Sequence, residues 1–214
     1  MRLHEQHRPA TLDELVGQDK AVRMVRGIEK RGGFGGASVW ITGQSGTGKT
    51  TLARIVAGTM ADDWMIQEYD SGDAVGAGTL DDIETSMGLC APGKGGRVWI
   101  INEAHGLRKP IIRRLLGIME RLPKHCALIF TTTWDGEARF EDDIDAAPFA
   151  SRCLAIRLTN QGLAQAFAER CLSIAQAEGL DGQPIEAYVK LARKCGNNCR
   201  AMLGEIEAGA MIPD

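Results

Sequence analysis

No apolar run in these 214 residues approaches the roughly 18 needed to cross a bilayer, so no membrane span is expected. The opening MRLHEQHRP lacks the apolar core of a secretory signal, which argues against export. Neither sign of charge dominates: 25 Lys and Arg against 28 Asp and Glu leave a formal net charge of −3. Such a chain does not bind nucleic acid through overall charge, and any contact of that kind has to come from a local patch. Six cysteines stand at positions 90, 126, 153, 171, 195 and 199, several of them in apolar patterns. Cys195 and Cys199 have no second ligand pair nearby, which excludes the usual zinc spacing. Reduced, partly buried thiols of a cytosolic protein fit better. Internal repeats and low-complexity tracts are missing as well. What is present is ordinary for a globular protein, 44% hydrophobic and 25% charged, with room for one domain or one and a small second.

The strongest signal is the stretch 38–52, SVWITGQSGTGKTTL. Val39, Trp40 and Ile41 read as a buried strand, and Leu52, Ile55 and Val56 fall on one face of a helix. Between them, residues 43–50 fit GxxxxGK[ST] at every fixed position. Strand, glycine loop and helix in that order make a phosphate cradle, because glycines let successive N–H groups turn inward and the helix start adds its dipole. Gly43, Gln44, Ser45, Gly46, Thr47, Gly48 and Thr51 are the expected phosphate contacts. Lys49 is expected at the β- and γ-phosphates, and Thr50 as a Mg²⁺ ligand.

Upstream, residues 8–18 read as an extended arm before a short helix facing Ala21, Val22, Val25 and Ile28 inward. An arm placed there can fold over a nucleotide base through Val16 and Gly17. Residues 31–36, RGGFGG, read as a flexible link into the first strand. Downstream, residues 64–69 are a candidate second strand, Thr79 a helix cap, and residues 91–96 a turn-rich connector. The apolar run 98–101 suits a buried parallel strand, and it ends in Asn102-Glu103-Ala104-His105. A carboxylate at the carboxyl end of such a strand sits beside the phosphate loop. Nucleotide hydrolases place Asp then Glu here, for Mg²⁺ and for the attacking water. Glu103 matches the Glu, but Asn102 replaces the Asp, and an amide carries no charge, so slow hydrolysis or weaker Mg²⁺ binding is expected. His105 reads as a cap or a supporting residue.

Residues 107–122 form an amphipathic helix that also carries Arg108, Lys109, Arg113, Arg114 and Arg121, with Lys124 beyond. A solvated face and a subunit or DNA contact are both open for this basic stretch. The strand 127–130 ends in Thr131, Thr132 and Thr133, residues 134–148 read as an acidic solvated loop, and residues 154–158 as a fifth short strand. Thr159 is the expected cap of a helix to about residue 177, followed by helices near 184–194 and from 196 on. The boundaries are therefore a nucleotide-binding α/β domain at 1–157 and a helical lid at 158–214.

RPATLDELVGQ, GQSGTGKT, VWIINEAH, a strand ending in threonine, ASRC and GNNCRAML occur here in a fixed order. Over roughly residues 6–208 the chain resembles the AAA+ clamp-loader family, the replication factor C small subunits and bacterial gamma/tau subunits. The resemblance implies a parallel five-stranded AAA+ P-loop sheet flanked by helices and followed by the lid. It places Arg8, Pro9, Val16, Gly17 and Gln18 at the adenine, Thr132 at sensor 1 and Arg200 at sensor 2. Arg152 matches the SRC arginine, a finger reaching a neighbour's γ-phosphate, although an ion pair at a strand start is the plain alternative. ATP and Mg²⁺ are the implied cofactors. Other AAA+ subunits, a sliding clamp and primer–template DNA are the implied partners, in the cytoplasm at a replisome and away from any membrane. The family's collar domain has no counterpart after the lid, as expected of a minimal version, phage- or mobile-element-encoded, or of one whose collar another chain supplies. Recombination or fork-repair AAA+ ATPases share the RP…VGQ box, and Asn102 also suits a weakly hydrolysing regulatory subunit.

Overall fold

A computed structural model describes residues 1–89, 93–141 and 146–213. Cys90, residues 91 and 92 of the connector, and Asp142, Asp143 and Asp145 of the acidic stretch lie outside the described residues. The chain opens with α1 (Leu3–Gln6) and α2 (Asp19–Glu29), then alternates strands and helices. These are β1 (Ser38–Thr42), α3 (Lys49–Met60), β2 (Ile66–Tyr69), α4 (Ala77–Met87), β3 (Arg97–Ile101), α5 (Lys109–Glu120) and β4 (Cys126–Thr132). Next come α6 (Trp134–Glu141), α7 (Ala146–Ser151) and β5 (Cys153–Arg157), and the chain closes with α8 (Ala164–Glu178), α9 (Ile185–Lys194) and α10 (Cys199–Glu207).

All five strands are parallel, in the order β2-β3-β4-β1-β5. Because successive strand side chains face opposite ways, the central strands feed two separate cores. Trp40, Trp99, Ile101, Leu128 and Phe130 pack with α4 and α5 on one face. Val39, Ile41, Val98, Ile100, Ala127 and Ile129 pack with α2 and α3 on the other. A third cluster unites α8, α9 and α10 around Phe167, Cys171, Tyr188, Met202 and Ile206, and it includes Leu3 of α1.

Several local expectations are corrected. Residues 134–148 are not a solvated loop throughout, because α6 and the start of α7 lie within them. Asp135 does face solvent, but Phe140 and Phe149 stack with Trp40 and Phe130 at ring centroid distances of 4.9–6.0 Å. The glycine-rich link is pinned by Phe34, which is fully buried. Thr79 is the third helical residue of α4, not its cap; its hydroxyl accepts the Gly76 N–H. Thr159 caps no helix. Its N–H is taken by Gln18, and α8 begins five residues later. The basic stretch on α5 is partly neutralised, since Arg114 and Arg121 pair with Glu84, and Arg114 also with Asp81.

Candidate functional site

The carboxyl ends of β1, β3 and β4 meet at one edge, and the turn after β1 closes into α3. Gly46 and Gly48 take left-handed backbone, φ 75° and 98°. A side chain at Gly46 has no room: a Cβ there would lie 1.8 Å from the Asn198 Oδ1 atom. Asn198 caps α10 by accepting the Ala201 N–H at 3.1 Å, so the start of α10 sits directly on the loop. Two helix N-termini, of α3 and α10, therefore converge on one place, which favours an anion.

Lys49 folds back over the loop and donates to the Gln44 carbonyl at 3.1 Å. Thr47 gives its hydroxyl to the same oxygen at 2.8 Å. Lys49 is 7% exposed. Burial holds its ammonium below the ordinary lysine value; Glu103 opposes that shift and Arg200 adds to it. A buried ammonium resting on a neutral carbonyl is poorly compensated without an anion. Arg8 is lowered as well, by burial first and then by Arg54, with Arg200 contributing. Cations that depress one another around a glycine loop fit a polyphosphate.

Beneath the loop, the Thr50 hydroxyl donates to the Asn102 Oδ1 atom at 3.0 Å, leaving the hydroxyl lone pairs available to a cation. Thr131 donates to the same oxygen at 2.8 Å. The other end of the amide, Nδ2, donates to Glu68 at 2.8 Å, and Glu68 in turn accepts from Arg54 at 2.6 Å. Glu103 follows in left-handed backbone, φ 45° and ψ 49°. Among the described residues only Asn197 shares that conformation without being glycine, and it precedes α10 at the same site. Strain of this kind costs on the order of 1–3 kcal/mol and survives where neighbours fix it. Here the Glu103 carbonyl accepts from Gly72 and Gly106. His105 Nδ1 lies 3.5 Å from the Glu103 carboxylate and 2.9 Å from the Thr132 hydroxyl, linking the two strand ends.

Of the residues singled out by sequence, Arg8, Pro9, Val16, Ser45, Gly46, Thr47, Gly48, Lys49, Thr50, Thr51, Glu103 and Arg200 line one pocket. Gly17 packs against Leu163 and Gly43 against Leu158, behind the wall. Gln44 contributes its carbonyl, while Asn102 and Thr132 lie buried under the loop. Arg152 is elsewhere. Its Nε and Nη2 donate to Glu120 at 3.1 and 2.5 Å, and Nη1 to the Pro148 carbonyl at 2.8 Å.

The pocket also has a wall that sequence reading missed: His4, His7, Phe167, Arg170, Ile174, Cys199 and Leu203. The apolar members look like ordinary helix core. Their partners in α1 and α8 stand some 160 positions apart, as the hydrogen bond from Arg170 to the His7 carbonyl shows. Gln18 was missed as a brace. It is 2% exposed, its amide donates to the Thr159 carbonyl at 2.9 Å, and its oxygen accepts the Thr159 N–H at 3.0 Å.

The loop, the strand-end Glu, the parallel sheet in this order and the helical cluster over the loop define the AAA+ P-loop NTPase fold. No protein-family model matches the sequence. The chain is 29% identical to the replication factor C small subunit of Methanosphaera stadtmanae over 84% of its length and 54% of that protein. It is 27% identical to the same subunit of Methanoregula boonei, over 97% of this chain and 63% of that one. It is also 25% identical to DNA polymerase III subunit tau of Bacillus subtilis, over 61% of this chain and 27% of that one. The fold matches Thermotoga maritima RuvB with a TM-score of 0.72 at 22% identity, covering 94% of this chain and 64% of RuvB. A gamma subunit-related protein of Thermotoga maritima matches with a TM-score of 0.54 at 14% identity, covering 89% of this chain and 76% of that one. The chain's homologues are thus the replication factor C and gamma/tau subunits, the clamp-loader branch of the AAA+ proteins. It spans about half to two thirds of the length of the replication factor C small subunits it matches.

Proposed function

We propose that the chain binds ATP and Mg²⁺ in this pocket and hydrolyses ATP as one subunit of a clamp-loader-like assembly in DNA replication. The observation that carries the reading is the buried Lys49 beside Thr50 and the strained Glu103, in a chain whose homologues are clamp-loader subunits. Loop amides of residues 43–51 and Lys49 bind the phosphates, while Arg8, Pro9 and Val16 close over the base against Phe167 and Leu203. Thr50 and Asn102 hold the metal side, where bound Mg²⁺ supplies charge neutralisation between phosphates. Glu103 orients the attacking water, and Thr132, through His105, reports the state of that carboxylate. Arg200 comes from the lid, residues 158–214, onto an ATP domain at 1–157.

Arg152 lies outside the pocket of its own chain and serves a neighbour's γ-phosphate. Subunits so joined grip a sliding clamp and primer–template DNA in the cytoplasm, and hydrolysis releases them. Asn102 makes hydrolysis slow, which also favours a second reading, a nucleotide-binding regulatory subunit with little turnover. ATPase assays of the chain with its partner subunits, a clamp and primed DNA separate these. Stimulation by clamp and primed DNA together supports the first reading. ATP binding without hydrolysis under every condition supports the second, and response to forked DNA alone points to a recombination or repair ATPase.

A further inference from the structure

An asparagine at position 102 sets a problem that an aspartate does not. Its side chain has two chemically different ends, and only the oxygen can accept the Thr50 hydroxyl. Turned the other way, the NH₂ group would occupy the hydroxyl's lone pairs and set a partial positive charge where a cation has to sit. Asn102 is 6% exposed, so water does not decide its orientation. Its neighbours do. Thr50 and Thr131 are hydroxyls, able to donate or accept, and leave the choice open. Glu68, on β2, is an ionised acceptor only, and it lies 2.8 Å from the Asn102 Nδ2 atom. Glu68 is itself fixed by Arg54 at 2.6 Å. We propose that Glu68 is the positioning residue that orients the Asn102 amide, holding its oxygen on Thr50 and supplying the nearby negative charge that the amide lacks. This rests on the Mg²⁺–nucleotide reading of the site.

A structural role through Arg54 alone would make Glu68 equally necessary whatever stands at position 102. An orienting role makes it necessary only beside an amide, because an aspartate presents two equivalent oxygens. The test is a cycle on the full chain, with wild type, Glu68→Ala, Asn102→Asp and the double variant. The readout is Mg²⁺ titration of the binding of a fluorescent, non-hydrolysed ATP analogue. Glu68→Ala is expected to raise the Mg²⁺ midpoint about tenfold beside Asn102, the scale of one lost charge-assisted hydrogen bond. In the Asn102→Asp background the same change removes one of two carboxylates that would face each other across that contact, so no rise of that size is expected. Glu68→Gln retains an acceptor for Nδ2 but not the charge and is expected to recover part of the loss, and it covers the case in which the alanine variant fails to fold. Equal effects of Glu68→Ala in both backgrounds, or no effect in either, would overturn the inference. Wild-type chain that binds the analogue with no Mg²⁺ dependence would instead overturn the reading of the site beneath it.

Discussion

Replacing Lys49 by methionine should move stability and binding in opposite directions. The lysine is 7% exposed, donates to the Gln44 carbonyl, and is held below its ordinary value by burial. That carbonyl keeps Thr47 as a donor when the lysine is gone, so no acceptor is orphaned. Methionine fills the same channel without charge. Removing a poorly compensated buried ion should stabilise the nucleotide-free protein by about 1 kcal/mol, the low end for such replacements. For a chain of this size that is roughly 2–4 °C in Tm. Binding responds the other way. A charge-assisted contact to phosphate is worth about 1.5–3 kcal/mol, or on the order of ten- to 150-fold in Kd. ATP at about 100 times the wild-type Kd adds about 2.7 kcal/mol to wild type, roughly 5–11 °C, and about 0.3–1.4 kcal/mol to the variant. Thermal melts with and without ATP–Mg²⁺ should therefore cross: the variant melts higher without nucleotide, wild type with it. A variant less stable than wild type without ligand, and shifted by ATP as much as wild type, would refute the reasoning.

Gln18→Leu leaves the N–H and carbonyl of Thr159 unpaired, which should cost about 1–3 kcal/mol in urea unfolding; an unchanged midpoint would show that the brace is idle. Cys199 lies on the pocket wall with its thiol lowered by the Cys171 hydrogen bond, whereas burial pushes Cys126 to about 11 and Cys153 to about 12. Mild alkylation read by mass spectrometry should therefore label Cys199 before those two and slow when ATP is present. Because Lys49 is lowered in the nucleotide-free fold, that state binds fewer protons than the unfolded chain, and its stability rises as pH climbs from the lowered value toward 10.5. Bound phosphate raises the value again, so calorimetry in buffers of different ionisation heat should show proton uptake on ATP binding that grows with alkaline pH. Arg152→Ala should reduce hydrolysis by the assembled subunits about 10³-fold or more while nucleotide affinity of the single chain stays within about twofold.

What could be read from sequence was chemistry at fixed spacing and strong periodicity. Lys49 and Thr50 are dictated by the loop that precedes them, and the strand cores by apolar runs whose alternation divides them between two faces. Partners remote in sequence could not be read. Glu68 meets Asn102 across 34 positions, and Gln18 meets Thr159 across 141. Charge counting misjudged residues 134–148, because Phe140 is drawn into an aromatic cluster with Trp40 and Phe149 that the acidic composition does not announce. It also left the α5 arginines open, since the acids of α4 that engage Arg114 and Arg121 sit on another helix.

The central claim is that this pocket holds ATP with Mg²⁺. Isothermal titration of ATP into the purified chain, with Mg²⁺ and then with a chelator, tests it most directly. One site per chain is predicted, tightened by Mg²⁺ and weakened at least about tenfold by Lys49→Met. Heats indistinguishable from dilution, or binding that Lys49→Met leaves intact, would contradict it.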